Sequence, residues 1–80
     1  MTREEAYVRL NDVFREVLDD ETIELYDETV ADDVDGWDSF EHINLVVAVE
    51  EEFGFKIPMG KTVKMKNLGE MVDLIVELGK

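Results

Sequence analysis

Eighty residues, 45% of them hydrophobic and 36% charged, make a single domain, 1–80, near the lower size limit for an unassisted core and too small for an enzyme built around an enclosed pocket. The absence of cysteine excludes a disulfide framework, a thiolate metal site and a thiol nucleophile, and a net charge of −13 excludes nucleic acid as an ordinary partner, because phosphate contacts need clustered lysine and arginine. The charged start Met1-Thr2-Arg3-Glu4-Glu5 and the lack of an apolar run of membrane-spanning length make a soluble cytoplasmic protein the expectation.

Thr2 and Glu5 have capping-box spacing ahead of Ala6, Leu10, Val13 and Val17, which recur at helical intervals. Tyr7, Phe14 and Leu18 widen that stripe, and the pattern predicts a helix from about Arg3 to Leu18. Asp19 to Trp37 then forms a connection longer than compact domains usually carry, unless it is pinned or functional. Ile23, Leu25, Tyr26, Val30, Val34 and Trp37 are its candidate pins. Asp33, Asp35 and Gly36 look like part of a calcium-binding loop, but with Gly36 at the sixth position the first and twelfth fall on Ala31 and His42, where carboxylates are required. A dedicated metal site is not expected.

Asp38-Ser39-Phe40-Glu41 marks the second helix start. Asp38 as the cap accepts orphan N–H groups and Glu41 reaches back, which leaves Ser39 at the first helical position with no capping duty. An exposed hydroxyl at a helix N-terminus can take a phosphate-linked group, stabilised by the positive end of the helix dipole, although plain capping also accounts for the motif. From Asp38 to Phe53-Gly54 the apolar positions cover more than half of the helical circumference, predicting a central helix touched on several sides. His42, the only histidine, has no second histidine for a metal pair and no nucleophile to activate, and reads as a surface residue on this helix. Ile57-Pro58 blocks continuation, leaving room for a short turn between Met59 and Met65. Asn67 with Glu70 caps the last helix, whose Leu68, Met71, Val72, Ile75, Val76 and Leu78 run to Gly79.

Charge is unevenly distributed. Between Arg15 and Lys56 there is no lysine or arginine, while that stretch holds 15 of the 21 acids. Lys56, Lys61, Lys64 and Lys66 follow with no acid between Glu52 and Glu70. The acidic part suits basic protein partners, and equally the solvated face of a small soluble protein.

The run Gly36-Trp37-Asp38-Ser39-Phe40-Glu41-His42-Ile43-Asn44-Leu45, continued by Val46-Val47-Ala48-Val49-Glu50-Glu51-Glu52-Phe53-Gly54 and Ile57-Pro58, resembles the carrier-helix segment of acyl carrier proteins. The likeness extends over the whole chain in length, acidity and element order, and points to a discrete bacterial carrier. It implies an all-α four-helix bundle with a long first loop and a short third helix, and a non-catalytic carrier with no catalytic residue. It also implies that Ser39, preceded by Asp38, bears a 4′-phosphopantetheine arm holding acyl groups as thioesters. A cysteine-free chain would thus acquire its thiol. Phe40 stands where the family usually has leucine.

By position, Glu41, Glu50 and Glu51 would dock on the basic surfaces of a phosphopantetheinyl transferase and of acyl-loading and acyl-processing enzymes. The chain is expected to be a monomer. Fatty acid, polyketide or other specialised pathways fit the resemblance; the lysines near the third helix depart from the carriers of primary fatty acid synthesis. The alternatives are an aminoacyl or peptidyl carrier and a small acidic helical interaction module without a prosthetic group. The resemblance further implies that a cargo folds back between the central and third helices. Val46, Val47 and Val49 would form the wall, Met59 and Met65 would adapt to the chain, and Phe40 or Phe55 would limit its length.

Overall fold

Thr2, Asp38 and Asn67 each cap a helix with a side-chain oxygen that accepts the backbone N–H three residues on, from Glu5, Glu41 and Glu70 respectively. The computed structural model describes residues 1–62 and 65–79, without the Met59 side chain; the expectations placed on Lys64 and on that side chain lie outside the described residues. The capped helices are α1 (Arg3–Val17), α2 (Ser39–Phe53) and α4 (Leu68–Leu78), with a four-residue α3 (Met59–Thr62) between the last two. A 3-10 turn at Ala31–Asp33 lies in the long connection, and there is no strand among the described residues. The architecture is all-α, with four helices in the order the sequence predicts. Gly54, in the left-handed region at φ 79°, ends α2 and donates its N–H to Glu50 O, a stop that an L side chain would strain.

The core joins Ala6, Leu10, Val13 and Phe14 of α1 to Leu45, Val46 and Val49 of α2 and to Leu68, Met71, Val72 and Ile75 of α4. Each fully buried large side chain, such as Phe14, Leu10 or Leu45, contributes about 1.5–3 kcal/mol of apolar burial. It is α1 that packs against both α2 and α4, so the central position expected for α2 belongs to α1. Phe40, Ile43 and Val47 of α2 remain 73%, 52% and 48% exposed. Their spacing of three and four residues places them on one stripe, so the breadth of the apolar pattern on α2 reflects an outward apolar face as well as an inward one.

The three arginines, all on α1, tie it to its neighbours. Arg3 pairs with Asp27 of the loop and Asp73 of α4, Arg9 with Glu52 of α2, and Arg15 with Glu24 of the loop. These pairs are largely exposed and orient the elements more than they stabilise them. Tyr7 adds a hydrogen bond from its hydroxyl to Asp27, and burial followed by that bond pushes its pKa up.

The long connection is pinned by Ile23, Leu25 and Val34, which are buried, and by Trp37, which packs half-buried against the core. Tyr26 and Val30 are exposed and pin nothing. Their place is taken by Thr29, a buried threonine whose hydroxyl accepts from Tyr26 N at 2.9 Å. Thr29 O and Asp27 O accept the N–H groups of Leu68 and Gly69 at 2.8 and 2.9 Å, so the loop supplies two of the acceptors that the first turn of α4 lacks.

Candidate functional site

Asp38 is extended, at φ −115° and ψ −176°, and its carboxylate accepts Glu41 N–H at 2.8 Å while its carbonyl accepts His42 N–H at 2.8 Å. The expected reciprocal reach of Glu41 is replaced by another contact, its Oε1 accepting from Asn44 Nδ2 at 3.3 Å. Ser39 is the first residue of α2 and is exposed. Its hydroxyl has no hydrogen-bond partner among the described residues. A hydroxyl oxygen is thus presented to solvent at the first position of a capped helix, and the helix N-terminus beside it favours a phosphate. The residues present fit a phosphodiester-linked prosthetic group.

Trp37 fixes this junction to the core. Its ring meets Phe14 of α1 edge-on, with centroids 5.0 Å apart and an interplanar angle of 86°, and its Nε1–H donates to His42 Nδ1 at 3.2 Å. The Trp37 and His42 rings lie nearly parallel, 10° apart at 6.1 Å. His42 is therefore not the surface residue that the sequence suggests: it is half-buried, its Nε2 is enclosed without a partner, and burial pushes its pKa below the usual 6.5. The signal was present, because Trp37 and His42 stand at the two positions, one before the cap and one at the fourth helical residue, that staple a helix N-terminus together.

Beside Ser39 opens a cleft of about 730 Å³. The start of α2 contributes Trp37, Ser39, His42 and Ile43; the loop contributes Thr29 and Val30; Thr62, Met65 and Lys66 close the far side. Its wall differs from the expected one. Val46 and Val49 are core residues facing inward, and Val47 lines a separate shallow hollow with Glu50, Glu51 and Phe55. Phe40 points to solvent and Phe55 packs near Phe53, with ring centroids 6.0 Å apart, so neither limits the cleft. Of the expected wall, Met65 is present. The cause is the rotation of α2 about its own axis, which turns the valines toward α1 or away from the cleft.

The three glutamates are not equivalent. Glu51 is exposed and Glu41 half-buried near Ser39, while Glu50 Oε2 accepts Ile57 N–H at 2.6 Å and braces the turn after α2. Lys56, Lys61 and Lys66 are exposed, and Lys66 brings a cation to the cleft that holds Ser39.

A family model described as the phosphopantetheine attachment site matches residues 8–75. The chain is 34% identical over 76 residues to the acyl carrier protein of Acidothermus cellulolyticus, a match covering 94% of this chain and 89% of that protein. Its fold is similar to the solution NMR structure of holo acyl carrier protein from Geobacter metallireducens, with a TM-score of 0.81 and 41% identity, covering 89% of this chain and 82% of the other.

Proposed function

Since the chain belongs to the acyl carrier protein family, whose members are non-catalytic carriers with a 4′-phosphopantetheine prosthetic group working with partner enzymes, we propose that Ser39 is the attachment residue. On this reading residues 1–80 act as one monomeric carrier domain in the cytoplasm, in a fatty acid, polyketide or related specialised pathway. The observation that carries it is the exposed, unpartnered Ser39 hydroxyl at the first position of a capped helix, within the segment matched by the family model. When attached, the group supplies the thiol on which acyl cargo is held. The chain's part is to present the oxygen, keep it off the competing hydrogen bonds of the cap by assigning those to Asp38, and favour the phosphodiester with the N-terminal end of α2.

Partner recognition falls to α2. Glu41 and Glu51, with Glu50 beside them, border the exposed stripe of Phe40, Ile43 and Val47. An acidic frame around an apolar strip suits the basic surfaces of a phosphopantetheinyl transferase and of acyl-loading and acyl-processing enzymes, with charge setting encounter and orientation.

Ser39 is the only serine in the chain, which makes the test clean. Incubation with coenzyme A and a broad phosphopantetheinyl transferase should add one phosphopantetheine by intact mass. Ser39→Ala should stay folded and add none. A wild type that stays unmodified under a panel of transferases would refute the attachment, and a labelled Ser39→Ala would move it elsewhere.

A further inference from the structure

The lysines of this acidic chain are placed differently from its arginines. Arg3, Arg9 and Arg15 are each paired with acids of neighbouring elements, whereas the exposed Lys56, Lys61 and Lys66 have no ion-pair partner among the described residues. Lys66 lines the cleft beside Ser39 and is the only cation to do so among the described residues. Its backbone is fixed, the N–H donating to Glu70 Oε2 at 2.9 Å just ahead of the Asn67 cap of α4. Its ammonium stands on an exposed, flexible stem and is free to move toward an anion at the cleft mouth.

Attachment at Ser39 brings such an anion. The Ser39 oxygen bonds to the phosphorus of coenzyme A that carries the pantetheine, and the bond from that phosphorus to the bridging oxygen breaks. Adenosine 3′,5′-bisphosphate leaves with the electron pair, and the hydroxyl proton passes to a base of the transferase. Whichever transferase presents it, the pyrophosphate must therefore reach Ser39, on a chain of net charge −13 and beside a cleft that Asp32 and Asp38 also line. Those acids oppose an incoming phosphate, even with the Asp38 carboxylate turned to Glu41 N–H. Granting that Ser39 carries the arm, we propose that Lys66 is the carrier's own phosphate-binding residue, engaging the pyrophosphate of coenzyme A while the arm is transferred. Lysine binds phosphate as a point charge, and a cation on a transferring phosphoryl group stabilises the charge that develops there. A lysine that mattered only through overall charge would act with the opposite sign: neutralising it makes the chain more acidic and speeds encounter with a basic transferase.

The experiment follows arm transfer from coenzyme A to wild type, Lys66→Gln, Lys66→Arg and Lys56→Gln by intact mass, with two broad phosphopantetheinyl transferases of unrelated sequence. Melting curves establish first that each variant is folded. Lys66→Gln should lower kcat/KM for the carrier about threefold to fivefold with both enzymes, and Lys66→Arg should restore it. Lys56→Gln, which removes the same charge from the separate hollow lined by Val47 and Phe55, should match or exceed wild type. A Lys66→Gln chain modified as fast as wild type, or faster, overturns the proposal, as does an equal loss in Lys56→Gln or a Lys66→Arg chain as slow as Lys66→Gln. A loss seen with one enzyme alone assigns Lys66 to that enzyme's surface and overturns it too, because coenzyme A is common to both. A wild type that takes up no arm overturns the attachment at Ser39, and this inference with it, and the mass spectrum separates that failure from the others.

Discussion

Trp37, Asp38, Ser39 and His42 divide the work of one helix start among them. Asp38 caps, Ser39 is left free, and Trp37 with His42 anchors the junction to Phe14. Because burial lowers the His42 pKa in the folded chain, protons bind the unfolded chain more readily in the window below the unfolded value of 6.5. Stability contributed by the neutral ring is therefore complete above that value and is lost as pH falls toward the folded pKa. Wild type should lose melting temperature between about pH 7 and pH 5.5 relative to His42→Gln, which does not titrate there; parallel curves for the two proteins would show that the ring is not energetically coupled to folding. Glu41→Lys addresses recognition instead. It should slow transferase modification by on the order of tenfold at low ionic strength through the association rate, with the effect shrinking as salt rises. Equal rates would remove Glu41 from the docking surface.

At the level of elements, the decisive joint is where the long loop meets the start of α4. A Cβ on Gly69 would stand 3.0 Å from Asp27 O and 3.1 Å from Asp27 Cβ, against backbone that already accepts the Gly69 N–H. Gly69→Ala should therefore cost about 1–3 kcal/mol, read as a fall in melting temperature, while Gly60→Ala, with nothing within 4 Å of the added carbon, should be neutral or slightly stabilising. Similar losses in both would mean the joint is not the constraint. Thr29→Val should cost about 1–3 kcal/mol by leaving Tyr26 N–H without its acceptor. In the sequence this joint was hidden: Tyr26 and Val30 look like better anchors than a threonine, yet Thr29 can bury a methyl group and satisfy the turn's own backbone at once.

For the whole molecule, net charge dominates. The three arginines of α1 neutralise some of the acids along the α1 seams, but a balance of −13 over 80 residues remains, and like charges on so small a body repel. Raising ionic strength to about 0.15 M shortens the screening length to about 8 Å and should raise the melting temperature, as should magnesium at about millimolar levels through weak carboxylate binding. A flat or falling melting temperature with either addition would mean that the ion pairs, not the repulsion, control the response.

Cap chemistry and apolar periodicity act within about one turn of the chain. For that reason Thr2, Asp38 and Asn67 could be read as helix starts from the residues alone, Gly54 as the end of α2, and Ser39 as a serine spared from capping. Composition likewise set the absence of an intrinsic thiol. The tertiary structure decided what depends on distant partners: that α1 packs against both α2 and α4; that Phe40, Ile43 and Val47 face solvent while Val46 and Val49 face the core; and that the cleft is walled by the loop and by His42 rather than by the valines of α2. A periodic pattern records how much of a helix is apolar, but the rotation of that helix is chosen by the surfaces packed against it. Here Leu45, Val46 and Val49 pack into the core, and Trp37, stacked on His42 and edge-on to Phe14, holds the same face of α2 toward α1.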